Sequence, residues 1–468
     1  MRMGMAPVWS KSAASFMNTW GFSIIGGKGG SRLVVAWILG PAFAIMLRRY
    51  KSKSGIEERM AVAPRKIVRI LTRMNIGGPA IHAALLSAGL GPRGFLTCVV
   101  VGEPDGPEGD LSGEIRGEGI RLIRLKSLRR SIRPLADLLT LARLLVILWQ
   151  ERPHIIHTHM AKAGALGRLA GLLYNTVGPG RRTGKRAFLV HTFHGHVLEG
   201  YFSPSLTRVF VAVERWLASR TDCLIAVSPS IQRELLRMGL GRVDQWRVVP
   251  LGLDLSGLSQ LPLPNGSSVV RVGMVGRLVP IKNPALFLNA LHRTVRADAS
   301  ASPVWGVVVG DGPMRSALER EAIELGLGNR VRFTGWQRDL LSIYGQLEAA
   351  CLTSWNEGTP VALIEAMAAG RAVIATRVGG VQDLLEDHPD AAEMIPTGQF
   401  HIGDRGVLVR AGDVEGLAKA ITAVAEDRAL RDRLGQAART YVLERFAHER
   451  LVQDMAELYD RVGAKESR

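Results

Sequence analysis

Residues 349–376 read AACLTSWNEGTPVALIEAMAAGRAVIAT, an apolar run, a polar loop, a helical stretch and a second apolar run. The first run ends at the loop SWNEGTP, where Gly358 and Pro360 interrupt any regular element. The Ala- and Leu-rich stretch that begins at Val361 has the composition of a helix, and RAVIAT has that of a buried strand. A strand, a helix and another strand in this order predict a βαβ unit with parallel strands.

The same alternation of short apolar runs and amphipathic segments extends through most of the chain. It occupies residues 65–260 and restarts over 269–440, after the Pro-, Gly- and Ser-rich break LPLPNGSS at 261–268. We therefore predict an α/β protein with two Rossmann-like, doubly wound domains that face each other across a cleft. Helices rich in Ala, Leu, Glu and Arg follow in 414–462, and the last helix and the tail occupy 441–468. Open α/β sheets bind ligands at the carboxyl ends of their strands, so we expect the site in this cleft.

The N-terminal part of the chain is basic and differs from the rest. Within residues 1–64, the first sixty hold nine Lys and Arg against two Glu, which gives a net charge of +7. The apolar run Leu33–Leu47 is fifteen residues long, contains Gly40 and is shorter than the about 20 residues that span a bilayer. We expect either a short membrane anchor or interfacial segment, or a stretch that precedes a later translation start such as Met60.

A second basic run without any acidic residue lies in the first predicted domain: Arg121, Arg124, Lys126, Arg129, Arg130 and Arg133. Such charge attracts anionic partners. Only 6% of the residues are aromatic and no nucleic-acid-binding motif is present, so we expect an anionic membrane surface rather than nucleic acid. A solvated surface of high pI is the alternative interpretation. The separated cysteines Cys98, Cys223 and Cys351 form no C-x-x-C pair, which predicts buried free thiols and a cytoplasmic protein.

Polar residues at two strand ends of the second predicted domain suit an anionic ligand. Glu357 lies at the start of the predicted helix and Glu365 about 80° around it and about 12 Å along its axis, so the two carboxylates can reach different groups. The amides at this helix start favour an anion such as a diphosphate. Arg277 and Lys282 follow the run VVRVGMV and supply positive charge to the same diphosphate. Because no D-x-D pair follows a strand, we expect neither a metal nor a cofactor.

The first predicted domain has histidines at two strand ends: His154, His157, His159, His191, His194 and His196. Imidazoles two residues apart on a strand can share a metal, which would suit a metal hydrolase. However, the sequence has no H-x-x-x-H helix and no acidic partner motif. Gly77 and Gly78 follow another apolar run, where they either let the backbone approach a ligand closely or form a plain tight turn.

Taken together, these motifs resemble one enzyme family. The set GRL with Lys282, VGDGP at 309–313 and SWNEGTPVALIEAMAAGRAVIAT is similar to retaining glycosyltransferases of family 4, which have the GT-B fold. Their hallmark is a pair of glutamates separated by seven residues, which Glu357 and Glu365 satisfy. The resemblance covers residues 66–462 and is strongest to bacterial enzymes of the polysaccharide or glycolipid type.

The resemblance implies roles for the residues that match the motifs. In the donor half, Glu357 would contact the donor hexose, Glu365 the ribose hydroxyls, and Arg277 with Lys282 the diphosphate. The amides of Gly358 and Thr359 would support the sugar and the phosphate. In the other half, His194 would be the cleft residue that contacts the donor sugar and influences transfer. The Gly77-Gly78 loop would line the cleft near the donor phosphates and the acceptor.

The implied activity is transfer of a hexose from a nucleotide diphosphate sugar, by default a UDP-sugar, to a hydroxyl of a lipid-linked or saccharide acceptor. The resemblance further implies retention of configuration by a front-face displacement. With the basic charge on the acceptor side, we expect a cytoplasmic protein that is peripheral to, or anchored at, the inner face of the plasma membrane. The alternatives are a sugar-nucleotide epimerase or phosphorylase of the same fold, and a non-catalytic, basic nucleic-acid-binding protein.

Overall fold

A computed structural model describes residues 64–465, apart from short gaps at 76, 105–108, 116, 118, 183, 185, 196–203, 265–268, 298–302 and 388–393. The predicted N-terminal extension, with Leu33–Leu47 and Met60, lies outside the described residues, and so does His196. From Pro64 onward the chain forms one compact unit.

The first half of this unit is built on a seven-stranded sheet in which every pair of neighbouring strands is parallel. Its strands are β1 (Arg65–Leu71), β2 (Phe95–Gly102), β3 (Ile120–Leu125), β4 (Ile155–His159), β5 (Phe188–Phe193), β6 (Cys223–Ala226) and β7 (Trp246–Val248). They lie in the order β3-β2-β1-β4-β5-β6-β7. The helices are α1 (Gly78–Leu90), α2 (Pro134–Glu151), α3 (Ala161–Thr176), α4 (Pro179–Arg182), α5 (Pro204–Ala218), α6 (Pro229–Arg237) and α7 (Ser256–Ser259).

The second half is built on another seven-stranded sheet, in the order β10-β9-β8-β11-β12-β14-β13. Its strands are β8 (Val270–Val275), β9 (Val304–Val309), β10 (Val331–Gly335), β11 (Ala349–Leu352), β12 (Ala372–Thr376), β13 (Phe400–Ile402) and β14 (Val407–Val409). Only the edge pair of β13 and β14 is antiparallel. The helices are α8 (Pro284–Ala297), α9 (Arg315–Glu324), α10 (Leu340–Gly345), α11 (Val361–Ala368), α12 (Val381–Leu385), α13 (Val414–Glu426), α14 (Arg428–Arg445) and α15 (His448–Lys465).

The two sheets confirm the predicted fold class. Strands β11 and β12 pair in parallel, with Ala349 opposite Ala372, and helix α11 connects them, as the stretch 349–376 predicts. In each sheet the strand order reverses once, between β1 and β4 and between β8 and β11. At such a reversal the loops of neighbouring strands lead to opposite faces and leave a crevice at the carboxyl ends, which is where open α/β sheets bind ligands.

The last helix does not stay with the sheet that precedes it in the chain. The inward face of α15, including Leu451 and Tyr459, is buried against Ile67 and Leu86 of the first half. Burial of this apolar face connects the end of the chain to the first sheet.

Two other sequence interpretations can be compared with the described residues. The thiols of Cys98, Cys223 and Cys351 are all free and buried, as predicted, and burial raises the pKa of Cys98 and of Cys223 to about 12. None of the described helices is both long enough and apolar enough to cross a bilayer.

Candidate functional site

The centre of the candidate site is an ion pair between two loops of the second half. Lys282 lies at the end of a single helical turn after β8, and Glu357 lies in the loop between β11 and α11. The ammonium group of Lys282 contacts Oε1 of Glu357, and the hydroxyl of Ser354 donates to the same oxygen at 2.5 Å. The Lys282 and Glu357 side chains are 21% and 10% exposed, so the pair is held in place and still reaches solvent.

A cleft of about 320 Å³ opens over this pair. Its lining includes five of the residues predicted from sequence: His194, Arg277, Lys282, Glu357 and Gly358. The first four come from loops or strand ends at the carboxyl ends of β5, β8 and β11, which is the edge of the sheets that the strand reversals open. The two halves of the chain therefore place cationic, carboxylate and imidazole groups around one cavity.

Gly358 lies at a close approach of the two halves beside the cleft. A methyl carbon built on Gly358 would lie 2.0 Å from the carbonyl oxygen of His194, and one built on Gly195 would lie 3.1 Å from the Cα of Gly358. No side chain other than hydrogen fits in this contact. The glycine is thus required by the approach of the two loops, independently of any ligand.

Four predicted residues are not among those that line this cleft. Gly77 and Gly78 lie at the start of α1, and only the next residue, Pro79, reaches the lining. A methyl carbon on Gly78 would lie 3.2 Å from the Val361 side chain, so this turn packs against the start of α11. The hydroxyl of Thr359 donates to the carbonyl oxygen of Val227 at 3.4 Å.

The fourth of these residues, Glu365, projects from α11 toward Tyr344. The tyrosine hydroxyl lies 2.9 Å from a carboxylate oxygen of Glu365 and 3.0 Å from the carbonyl oxygen of Ala362. Burial raises the pKa of Glu365 from 4.5 to about 7, although the hydrogen bond from Tyr344 acts in the opposite direction. At neutral pH this carboxyl group is therefore partly protonated.

A cluster of buried histidines lies behind His194. Nδ1 of His159 and Nε2 of His194 are 2.9 Å apart, and the ring of His82 stacks edge-on against both. His157 is held differently, between the hydroxyls of Thr192 at 2.7 Å and Tyr459 at 2.6 Å. Burial lowers the pKa of His194 to about 4 and those of His82, His157 and His159 well below the usual value. All of these rings are therefore neutral at physiological pH.

The histidine cluster has the residue type of a metal site but lacks a suitable geometry. Within the described part of the chain, no group of three or more His, Cys, Asp or Glu side chains is placed to hold a metal ion. His159 and His194 point nitrogens directly at each other, so one ring donates to the other. Among the described residues, Nδ1 of His194 has no hydrogen-bond partner, and His194 lines the cleft.

Several groups that shape the site have no recognisable signal in the sequence. Ser354 and Asn356 lie in the loop SWNEGTP, but nothing in their spacing predicts a role for them. His82 and Tyr344 lie in ordinary helices, and only the fold brings them to His194 and Glu365.

Two family models match most of the described chain. The model described as "Glycosyl transferases group 1" matches residues 269–441, and the model described as "Glycosyl transferase 4-like domain" matches residues 77–252. The group 1 match covers the second sheet, and the 4-like match covers the first sheet apart from β1.

Curated relatives from bacteria are similar over about two thirds of the chain. The UDP-Gal:alpha-D-GlcNAc-diphosphoundecaprenol alpha-1,3-galactosyltransferase of Escherichia coli is 26% identical, over 67% of this chain and 77% of that protein. The D-inositol 3-phosphate glycosyltransferase of Saccharomonospora viridis is 27% identical, over 65% of this chain and 69% of that protein.

Solved structures share the fold at lower identity. The Anabaena protein HepE, solved with UDP and glucose, superimposes with a TM-score of 0.63 at 22% identity, over 85% of this chain and 100% of HepE. The lipopolysaccharide outer core galactosyltransferase WaaB, without ligand, has a TM-score of 0.60 at 17% identity, over 84% of this chain and 99% of that chain.

Proposed function

Since this chain belongs to the group 1, family 4-type glycosyltransferases with the GT-B fold, we propose that it transfers a hexose from a UDP-sugar to a lipid-linked acceptor with retention of configuration. One observation carries the proposal: Arg277, Lys282, Glu357 and His194 converge on a single cleft from both halves of the chain. The Escherichia coli relative is named for a UDP-Gal donor and HepE was solved with UDP and glucose, which supports uridine as the base.

The cations of the cleft suit the donor diphosphate. Arg277 can bind a phosphate group through two parallel hydrogen bonds, and Lys282 adds a compact positive charge beside it. As the bond to the sugar breaks, negative charge develops on the leaving diphosphate, and both cations stabilise it. We propose that these side chains supply the charge that a divalent cation supplies in other enzymes, so that transfer needs no added metal.

Glu357 and His194 suit the donor sugar. Lys282 and Ser354 both bind Oε1 of Glu357, so the second oxygen, Oε2, is oriented to accept hydrogen bonds from sugar hydroxyls. The neutral imidazole of His194 reaches the cleft from the first half, where its ring can pack against the sugar, while its Nδ1 is buried and its Nε2 faces His159. The amides of Gly358 and Thr359 and the carboxyl group of Glu365 remain our proposals for contacts to the phosphate and to the ribose.

The chemical step that we propose is a front-face displacement. The glycosidic bond to the diphosphate breaks while the acceptor oxygen bonds to the same face of the anomeric carbon, and a phosphate oxygen takes the acceptor proton. In this role Glu357 binds hydroxyls and does not act as a nucleophile. The product then keeps the anomeric configuration of the donor.

Two observations on the first half of the chain, where we expect the acceptor to bind, favour an acceptor substrate in the membrane. The Escherichia coli relative is named for a diphosphoundecaprenol-linked acceptor, and the first half of this chain has exposed basic residues at Lys126, Arg129, Arg130 and Arg133. Two other arginines of the predicted basic run have partners, since Arg121 pairs with Glu151 and Arg124 with Asp110. We propose a protein on the cytoplasmic side that associates peripherally with an anionic surface through these four exposed residues, which form no ion pair within the described part of the chain.

Thermal-shift measurements with a panel of nucleotide sugars test the donor assignment. A ligand at a hundred times its Kd stabilises the folded protein by about 2.7 kcal/mol, so the matching donor raises the Tm and UDP alone raises it less. Glu357→Gln should weaken the shift with the sugar nucleotide more than the shift with UDP. The exposed Glu319→Gln on α9 is the matched control and should behave like the parent protein.

Product analysis tests the reaction. NMR of the product should show the anomeric configuration of the donor, and turnover should require an acceptor alcohol. An inverted product refutes the front-face step. Conversion of the donor without an acceptor, or only with phosphate, identifies an epimerase or a phosphorylase instead, and absence of any thermal shift refutes the donor assignment.

A further inference from the structure

The turn from β4 into α3 has a strained backbone at the point where it reaches the cleft. Met160 joins the two elements with φ 64° and ψ 160°, a conformation that glycine adopts easily and other residues avoid. Its carbonyl oxygen accepts from the amide of Gly164 at 2.8 Å, so the helix begins directly after this residue. Met160 also lines the cleft. A methionine in a conformation that suits glycine, beside a cavity, indicates that its side chain has a function there.

One face of α3 leads from this turn into the first half. Met160, Gly164 and Arg168 are spaced by four residues and therefore lie on the same side of the helix. Gly164 has no room for a side chain, because a methyl carbon there would lie 2.5 Å from the ring of His191, which also lines the cleft. Nε of Arg168 donates to the carbonyl oxygen of Gly164 at 2.9 Å. The helix backbone thus fixes the guanidinium group of Arg168 inside the first half.

This guanidinium group binds a carboxylate that lines the cleft. Nη2 of Arg168 donates to Oε2 of Glu214 at 2.8 Å, and Glu214 comes from α5. The Arg168 side chain is 1% exposed, whereas 12% of the Glu214 side chain is exposed and lines the cavity. The other carboxylate oxygen, Oε1, is buried and accepts no hydrogen bond from any described residue. Among the described residues of the first half that line the cleft, Glu214 is the one with a formal charge.

Stability alone does not account for this ion pair. Taking two charges out of water costs about as much free energy as their attraction returns, and apolar pairs of similar volume are often equally stable. A carboxylate can accept about four hydrogen bonds, so the donor from Arg168 leaves most of its capacity unused. Buried acceptors without donors destabilise a protein. Hydroxyl groups of a ligand in the cleft would supply the missing donors.

We propose that Glu214, held in place by Arg168, binds hydroxyl groups of the acceptor, and that the acceptor is an uncharged sugar where it meets this wall of the cleft. This inference rests on the proposed function and adds a residue and a substrate class to it. Met160 supplies an apolar contact for the ring of the same sugar, since its flexible thioether side chain adapts to irregular surfaces. Arg168 touches no substrate and acts as a positioning residue.

The charges of the two walls separate the donor from the acceptor. Arg277 and Lys282 approach the cleft from the second half, where they attract the donor diphosphate, whereas Glu214 approaches from the first half and repels it. A carboxylate accepts hydrogen bonds from sugar hydroxyls but donates none to a phosphate or carboxylate group. Phosphorylated sugars and uronic acids are therefore disfavoured at the position next to Glu214.

Deoxy analogues of simple sugars test the contact with Glu214. The probes are the methyl α-glycosides of glucose, galactose and N-acetylglucosamine, each also with single hydroxyl groups removed. Their Kd for the full chain is measured by saturation-transfer NMR, with and without UDP. In the parent protein, removal of the hydroxyl that Glu214 binds should raise the Kd at least tenfold, the effect of one hydrogen bond to a charged group.

A paired variant shows whether this effect depends on the carboxylate. Arg168→Met together with Glu214→Leu replaces both charges by apolar side chains of similar volume, which preserves the fold. In this variant the same deoxy analogue should bind as well as the complete glycoside, because the group that recognises the hydroxyl is absent. The matched control is Arg121→Met with Glu151→Leu, another ion pair of the first half, whose residues do not line the cleft. It should keep the parent's preference for the complete glycoside.

Two further variants separate binding from a structural role. Glu214→Gln keeps one oxygen that accepts hydrogen bonds and should retain part of the preference for the complete glycoside. Met160→Gly relieves the strained turn, so the midpoint of urea unfolding should not fall, while the Kd of the glycoside should rise about fivefold as the apolar contact is lost. A loss of stability and of glycoside binding together in Met160→Gly would show that the residue serves the fold alone.

The remaining outcomes decide the proposal. An equal penalty for every deoxy analogue in the parent and in the paired variant overturns it, and so does tighter binding of the glycoside 6-phosphates than of the unmodified glycosides. Absence of any glycoside binding also overturns it. Thermal shifts with nucleotide sugars should be the same in the paired variant and in the parent. A parent protein that binds glycosides but no nucleotide sugar contradicts the donor assignment alone, and one that binds a nucleotide sugar without recognition by Glu214 contradicts this inference alone.

Discussion

At the scale of single residues, the cleft depends on side chains that hold one another in position. Glu357 accepts from both Lys282 and Ser354, so its orientation is determined before any ligand binds. Preorganised groups of this kind bind a developing charge without first rearranging, which is the main source of their effect on rate. His194 has a comparable support in His159.

His159 should act as a positioning residue through His194. His159→Phe keeps an aromatic ring but removes the nitrogen that faces Nε2 of His194, which frees the tautomer and orientation of His194. We expect kcat/KM to fall about tenfold, the effect of one lost hydrogen bond. His159→Asn, whose side-chain amide can replace Nδ1, should restore part of the loss.

A double-mutant cycle distinguishes positioning from a general structural effect. In a His194→Ala background, His159→Phe should cause no further loss of kcat/KM, because the group that it positions is absent. Equal losses in both backgrounds would show that His159 acts independently of His194. Thermal unfolding of all variants checks that each of them is folded.

We expect the free energy of unfolding to depend on pH through the carboxyl group of Glu365. A carboxyl group whose folded-state pKa exceeds its unfolded value favours the folded state while protonated, so its contribution is lost as the pH rises from 4.5 to about 7. Glu365→Gln removes this dependence, and the free energy of unfolding at pH 8 should then exceed that of the parent by about 1–3 kcal/mol. Denaturant unfolding at pH 5 and pH 8 measures the difference, and an equal effect at both values would contradict the prediction. Donor binding should weaken in the same variant if Glu365 bonds the ribose.

At the scale of elements, loops from both halves pack closely beside the cleft, with their backbone atoms in contact. The loop after β5 approaches the loop before α11 at His194, Gly195 and Gly358. Behind this contact, a methyl carbon on Gly379 would lie 1.9 Å from the carbonyl oxygen of Glu357, so a third loop packs as closely. These contacts determine where the Glu357 loop lies relative to His194.

Gly358→Ala should separate these loops. The added methyl group would overlap the carbonyl oxygen of His194, and relieving the overlap requires backbone movement that costs about 1–3 kcal/mol. We expect a lower free energy of unfolding in denaturant titrations and loss of most transferase activity. Gly328→Ala is the matched control, because a methyl carbon there meets no atom within 4 Å. Activity close to that of the parent in Gly358→Ala would show that the loop contact is dispensable.

At the scale of the whole molecule, the two halves are connected by more than the chain between them. Helix α15 ends the chain but packs in the core of the first half, and Arg65 of β1 pairs with Asp460. In a separate contact between the halves, the backbone amide and the hydroxyl of Ser230 both donate to Asp383 of α12, at 3.0 and 2.8 Å. The halves therefore share buried apolar area and polar contacts.

Leu451→Ala should destabilise the first half, although the residue lies near the chain end. Its side chain is fully buried, and such a truncation costs about 2–5 kcal/mol. We expect urea unfolding to move to lower concentration, with tryptophan fluorescence and circular dichroism changing together. The exposed Ile323→Ala should leave the transition unchanged. A parent-like midpoint for Leu451→Ala would mean that α15 detaches in solution.

The sequence by itself determined the fold class and the groups most suited to the donor. Parallel strands that are buried on both faces have short, continuous apolar sequences, so the strands of each sheet can be recognised from the local composition. Arg277, Lys282 and Glu357 could be proposed because each lies in the loop after such a run, and the ends of neighbouring parallel strands meet at one edge.

Only the tertiary structure decided which side chains meet across the chain and which faces stay exposed. The contact of His159 with His194, the close approach of Gly195 to Gly358 and the return of α15 to β1 join residues that are far apart in sequence. The apolar residues of α2 likewise look like core in the sequence, and half of them face solvent. The local sequence pattern shows the periodicity of a helix or a strand. Which side chains are buried, and which pair with each other, depends on the elements that pack around them in the folded protein.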